Sequence, residues 1–146
     1  MSTPITVKIK RLHDGAIVPR YATAGAACFD LHALEAGEVG AYSTFKVRTG
    51  VAVEIPPCHV MLIYSRSGHG FRNGVRLVNA VGVIDADYRG EIAVGLKNDT
   101  PLRFEFEAGA RIAQAMILPI PAVALLEVDE LAATARGEGG FGSTGT

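Results

Sequence analysis

The strongest constraint on this chain is a rhythm. Apolar and polar residues alternate over short runs, and glycine, proline or Asn-Asp pairs cut each run off. Leu102, Phe104 and Phe106 between Arg103, Glu105 and Glu107 are the cleanest case. No apolar stripe recurs at 3.6-residue spacing over a useful length, so helices are not the main building element. Ile5, Val7 and Ile9 alternate with Thr6, Lys8 and Lys10, which predicts a half-buried first strand. Phe29-Asp30-Leu31 sets an acid between two apolar residues. Phe45 and Val47, then Val51, Val53 and Ile55 past Gly50, predict a hairpin ended by Pro56-Pro57. Residues 60–64 form an apolar run of strand length. Val81 and Val83, then Ile92, Val94 and Leu96, predict two strands joined by a turn. Residues 112–120 and 123–128 read as the last strands, and 129–135 supports a helical turn at most. Many short strands with turn signals between them predict an all-β sandwich or closed barrel.

Composition narrows the function. At 146 residues the chain suits one domain. Hydrophobic residues make up 49% and 17 glycines come on top of them, an apolar share that predicts burial against copies of the same chain as well as inside it. A net charge of -1 gives no electrostatic case for nucleic acid or a membrane as the main partner. No apolar run approaches a membrane span, and residues 1–10 lack a signal-peptide core, so a soluble, cytoplasmic protein is expected. Cys28 and Cys58 lie far apart and are expected as reduced, partly buried thiols. The four histidines show no paired metal-ligand spacing, so no zinc site is expected.

Four stretches carry candidate chemistry. Val83-Ile84 leads straight into Asp85, then Asp87, Tyr88, Arg89 and Gly90 follow. An acid at a strand-to-turn junction is held by a rigid sheet against whatever binds there, although Asp and Gly also serve ordinary turns. Tyr64-Ser-Arg-Ser-Gly68 comes off a strand with a cation between hydroxyls and reads as an anion cradle or as a turn with a surface arginine. Arg111-Ile-Ala-Gln114 opens the next run, where the arginine and glutamine read equally as strand-end polar residues. The tail from Arg136 combines a cation, Phe141, glycines, Ser143 and Thr144. That composition suits a phosphate-wrapping arm, and it equally suits a frayed terminus.

Their order is what distinguishes them. Ala24-Gly25-Ala-Ala-Cys-Phe-Asp30-Leu31, Arg66-Ser67-Gly68 with Asn79 downstream, Gly82-Val-Ile-Asp85-Ala-Asp-Tyr88-Arg-Gly90, Arg111-Ile-Ala-Gln114 and Arg136-Gly-Glu-Gly-Gly-Phe141-Gly142-Ser143-Thr144-Gly145 together resemble the homotrimeric dUTPase family over almost the whole chain. The resemblance implies a jelly-roll-like all-β domain over residues 1–135 and a flexible Gly-rich arm over 136–146. It also implies a homotrimer with active sites at subunit boundaries.

The implied reaction hydrolyses dUTP to dUMP and pyrophosphate with Mg²⁺, limiting uracil incorporation into DNA and supplying dUMP for dTMP synthesis. In that resemblance Asp85 activates the water that attacks the α-phosphorus. Arg66, Ser67 and Gly68 bind phosphates, and Gln114 lies near water and phosphates. Asn79, Gly82, Val83 and Ile84 read uracil, and Tyr88 packs under the sugar and excludes a 2′-hydroxyl. Asp30 meets the metal through water or plays a structural part. Arg136, Phe141, Gly142 and Ser143 close over the nucleotide from another subunit. Four positions depart from the family pattern: Ser65 replaces a proline, which predicts a less rigid approach to Arg66, Cys28 a glycine, His69 an apolar residue and Ala110 an acid. The alternatives are a dCTP deaminase-like enzyme of the same fold and a non-catalytic nucleotide-binding regulator.

Overall fold

The computed structural model describes residues 4–141 and 143. Its first half holds β1 (Lys8–Arg11), β2 (Arg20–Tyr21), β3 (Phe29–His32), β4 (Gly37–Val39), β5 (Thr44–Arg48), β6 (Val51–Glu54) and β7 (His59–Tyr64). A helix, α1 (Ser67–Asn73), precedes β8 (Val75–Leu77) and β9 (Gly82–Ile84). The remaining strands are β10 (Ala93–Asn98), β11 (Phe104–Phe106) and β12 (Arg111–Pro119). The chain is all-β, as the alternation predicts, and jelly-roll-like, as the resemblance implies. Its largest sheet runs β2-β3-β12-β7-β9, every neighbour antiparallel. Smaller sheets pair β5-β10-β8, β1-β6 and β11-β4.

Alternation sets the core. In β10, Val94, Leu96 and Asn98 point inward while their neighbours are half-exposed. Leu31, Met61, Ile63, Ile112, Ala113 and Ala115 bring the large sheet's inner face to the same cluster. Asn98 is fully buried, and its position is fixed by hydrogen bonds. Its Nδ2 lies within 3.1 Å of the Val39, Gly40 and Leu102 carbonyls, and its Oδ1 accepts from Thr100 N and Oγ1. A residue that reads in sequence as part of an Asn-Asp-Thr-Pro turn is thus the polar hub tying β10 to β4 and the turn before β11.

Several expectations need correction. The predicted 44–55 hairpin does not form: β5 pairs with β10, and β6 pairs with β1. Gly50 (φ +70°) carries the chain from one sheet to the other, and a Cβ there would lie 2.8 Å from the Ala16 Cβ. Likewise β9 and β10 are not a paired hairpin, since β9 adds to β7 while β10 lies between β5 and β8. Alternation reports which residues face inward, and it says nothing about which strand is the partner. In β9 it is Gly82 that faces the core, against Ile63, leaving Val81 and Val83 outside.

The first strand begins at Lys8, leaving Ile5 exposed outside it. Residues 123–128 form no strand, and Val123, Leu125 and Leu126 are exposed because nothing among the described residues covers them. No helical turn forms over 129–135. Helix α1 was not legible because it buries no residue and so carries no apolar stripe. Cys58 is exposed, so only Cys28 is partly buried, and both are free thiols.

Candidate active site

Three adjacent strands build an arginine-lined cleft. The register sets Asp30 of β3 opposite Gln114 of β12, and Gln114 opposite Tyr64 of β7. Just past Tyr64 the chain turns into α1, so Arg66, Ser67 and Gly68 overhang the same sheet end. The cleft is about 440 Å³ and is lined by Asp30, Arg66, Ser67, Gly68, Arg111 and Gln114, with the 22–28 loop along one side. Asp30, its side chain only 14% exposed, lies 3.3 Å from Arg66 Nε and 3.4 Å from Arg111 Nη1. One carboxylate facing two guanidiniums leaves a net positive charge, so the cleft suits an anion. Of the backbone N–H groups that open α1, those of His69 and Gly70 donate to the Arg66 carbonyl at 3.1 Å, while Ser67 and Gly68 line the cleft.

Residues that the sequence left quiet hold this geometry. Arg111, readable as a surface residue, lines the cleft and contacts Asp30. Gln114 Nε2 donates to the Ser65 carbonyl at 2.9 Å. The Ser65 hydroxyl accepts from Leu77 N at 2.8 Å, so the segment before Arg66 is tied to β8 in place of a proline's rigidity. That corrects the expectation of a looser approach. His69 Nε2 and Arg66 Nη1 both reach the Arg111 carbonyl, at 2.7 and 3.1 Å. None of these links has a local sequence signal, because each joins a side chain to a group far away in the chain.

A second cleft, about 290 Å³, is lined by Lys46, Val83, Ile84, Asp85, Tyr88 and Glu91. Asp85 is exposed directly after β9, and Tyr88 N donates to its carbonyl at 3.2 Å to close the turn. The Tyr88 hydroxyl donates to the Glu91 carbonyl at 3.1 Å. Gly90 makes room for that ring, because a Cβ there would overlap Tyr88. Glu91 anchors the far side of the turn through Gly50 N (2.8 Å) and Arg48 Nε (3.0 Å). Burial pushes the Glu91 carboxyl upward, but the Gly50 and Arg48 hydrogen bonds, with the charges of Arg48 and His13, outweigh it and hold it below the usual value. Asn79 is exposed outside both clefts, its carbonyl accepting from Val81 N at 2.6 Å.

The two clefts lie apart within one chain. Ile84 pairs with Met61, so Asp85 emerges near Val60, while Arg66 follows Tyr64 at the other end of β7. At about 3.3 Å per residue the separation is roughly 15–20 Å. Arg136 and Phe141 are exposed and line neither cleft; Arg136 Nε donates to the Gly139 carbonyl at 2.9 Å. Ser143 N donates to the Gly140 carbonyl, and Gly142 lies outside the described residues. Among the described residues no group of three or more His, Cys, Asp or Glu side chains could hold a metal, and no helix is long and apolar enough to cross a membrane.

Fold and cleft together define an all-β protein with a cleft suited to an anion at one end of its main sheet. The dUTPase family profile matches residues 14–145. A Methylocella silvestris deoxyuridine 5'-triphosphate nucleotidohydrolase is 47% identical, over 99% of this chain and 94% of its own. The same-named protein of a Picosynechococcus species is 42% identical over 96% and 99%. Among solved structures, the Staphylococcus bacteriophage 80alpha dUTPase with dUpNHpp superposes with a TM-score of 0.89 at 29% identity, covering 97% of this chain and 99% of that one. A dUTPase mutant from phage phi11 of S. aureus, in which coordination of a structural Mg(II) ion is described, shares the fold at a TM-score of 0.80 and 24% identity, covering 86% of this chain and 97% of that one. The chain belongs to the dUTPase family.

Proposed function

We propose that this protein hydrolyses dUTP to dUMP and pyrophosphate in a homotrimer whose active sites are assembled between subunits. The observation that carries this is the Asp30-Arg66-Arg111-Gln114 cleft, built across β3, β12 and β7 in a chain of this family. The exposed apolar segment 120–131 supports the trimer, since a neighbouring copy would cover it. So does the separation of Asp85 from Arg66. A site needing both is completed by a second chain.

In this reading Arg66, with Ser67 and Gly68, grips the triphosphate, and Gln114 orients phosphate and water. Asn79 and the backbone of Gly82, Val83 and Ile84 pair with the uracil edge, where the wrong base leaves buried groups unpaired. Tyr88 packs under the deoxyribose and bars a 2′-hydroxyl. Asp85 holds a water in line with the α-phosphorus and takes its proton. The water oxygen–phosphorus bond forms as the bond to the bridging oxygen breaks, and pyrophosphate leaves with that oxygen. Arg136, Phe141, Gly142 and Ser143 close over the nucleotide and exclude solvent.

Both Asp30 oxygens face guanidiniums, so direct metal ligation would forfeit those pairs. Contact through water fits, as does a Mg²⁺ that arrives on the triphosphate and keeps most of its own waters. When bound it would neutralise phosphate charge. A dCTP deaminase-like enzyme of the same fold is the second reading, favoured only by the shared cleft type; the Asp85–Tyr88 turn and the arm favour the hydrolase.

The deciding experiment measures pyrophosphate and ammonia release from dUTP, dCTP, UTP and dTTP, with and without Mg²⁺. Pyrophosphate from dUTP alone, lost by about 100-fold or more in Asp85→Asn, is the expected result. Ammonia from dCTP, or full activity in Asp85→Asn, overturns it.

A further inference from the structure

The guanidinium of Arg66 is fixed on two sides. Asp30 holds its Nε edge at 3.3 Å, and Nη1 donates to the Arg111 carbonyl at 3.1 Å. That carbonyl has two lone pairs, and His69 Nε2 sits 2.7 Å away on the same oxygen. A carbonyl only accepts, so Nε2 carries the ring proton and donates. The ring is itself fixed. It stands edge-on to Phe104, centroids 5.0 Å apart and planes at 69°, and Phe104 packs against the core. The carbonyl belongs to Arg111, beside the register irregularity between Arg111 and Ala113 in the β12–β3 ladder. There a peptide plane needs an outside partner to hold its direction.

We propose that His69 is a positioning residue for Arg66. Anchored on Phe104, it holds the Arg111 carbonyl in the direction that sets the plane of the Arg66 guanidinium, and it does so without touching nucleotide. An apolar side chain at 69 would still pack on Phe104 but would leave that carbonyl with a single donor. The inference rests on the reading of Arg66 as a phosphate ligand.

The test compares His69→Leu, His69→Gln and Arg66→Ala in the full-length protein, with steady-state dUTP kinetics, inhibition by inorganic pyrophosphate and by deoxyuridine, and melting temperature. Losing one hydrogen bond at second hand, His69→Leu should raise KM for dUTP about 3–10-fold with kcat changed less than about twofold. Pyrophosphate inhibition should weaken by the same factor and deoxyuridine inhibition should stay unchanged. His69→Gln, which keeps an N–H donor at similar reach, should restore both. If Arg66→Ala raises KM while His69→Leu matches wild type, the positioning role is overturned and the phosphate role stands. If Arg66→Ala itself leaves KM unchanged, the underlying reading fails. Equal losses in Leu and Gln variants, tracking melting temperature, would reduce His69 to packing and overturn the proposal.

Discussion

Asp85 and Arg66 lie beside opposite ends of β7: Asp85 follows Ile84 of β9, paired with Met61, and Arg66 lies two residues beyond Tyr64. In the proposed trimer, a nucleotide needing both takes them from different chains. Asp85→Asn and Arg66→Ala proteins, each strongly impaired alone at dUTP concentrations below the wild-type KM, should therefore complement when unfolded and refolded together. In a cyclic trimer with random mixing, about a quarter of the sites receive one intact residue from each neighbour. Recovery of about a quarter of wild-type activity is expected, and none is expected if one chain supplies both.

Gly90 should prove necessary for sugar discrimination. A methyl group there overlaps the Tyr88 ring, so Gly90→Ala displaces the ring from the position in which it is proposed to pack under the deoxyribose. The expected outcome is a fall of about tenfold in kcat/KM for dUTP, with the UTP-to-dUTP ratio rising. Parallel assays on both nucleotides check this.

Asn98 predicts a stability loss with no catalytic signature. Asn98→Ala removes five hydrogen bonds from a fully buried position, three to the Val39, Gly40 and Leu102 carbonyls and two from Thr100. The cost should be about 2–4 kcal/mol in urea unfolding, while KM in the surviving folded protein stays at its wild-type value.

His32 should make stability fall in mild acid. Its Nδ1 is buried without a hydrogen-bond partner among the described residues. Burial depresses its pKa from 6.5; Asp30 opposes this, and Arg111 and Arg66 add to it. The unfolded chain therefore binds more protons just below that value, so stability is full above about pH 6.5 and declines as pH falls toward the depressed folded value. His32→Leu should flatten that decline relative to wild type. Ring titration by NMR should place His32 below free histidine.

Removing residues 136–146 should cut turnover far more than it lowers melting temperature. The described residues of that segment bury little, and Phe141 is wholly exposed. Matching losses in both measurements would count against a closing role.

Sequence made some parts legible and hid others for physical reasons. Period-2 patterning marks β10 and β11, each with one face on the core, and apolar runs of strand length mark β7 and β12. It could not assign β5 and β6 to different sheets, since partner choice depends on where Gly50 sends the chain. It counted 123–128 as a strand from hydropathy alone, although a strand also needs a neighbour. The motifs located Asp30, Arg66, Asp85 and Gln114, whose residue types announce their chemistry. The supports at Ser65, His69 and Arg111 stayed invisible, because hydrogen bonds to remote carbonyls leave no mark on local spacing.

Helix α1 buries none of its side chains. Its mooring is the His69 side chain, on Phe104 and the Arg111 carbonyl, and one backbone bond, from Asp99 N to the Gly74 carbonyl at 3.0 Å. The outward surface around Phe71, Arg72 and Asn73 is therefore open ground for change. Lineages could repaint it, and engineers could graft charge, dyes or tethers onto it, while the catalytic end keeps its shape.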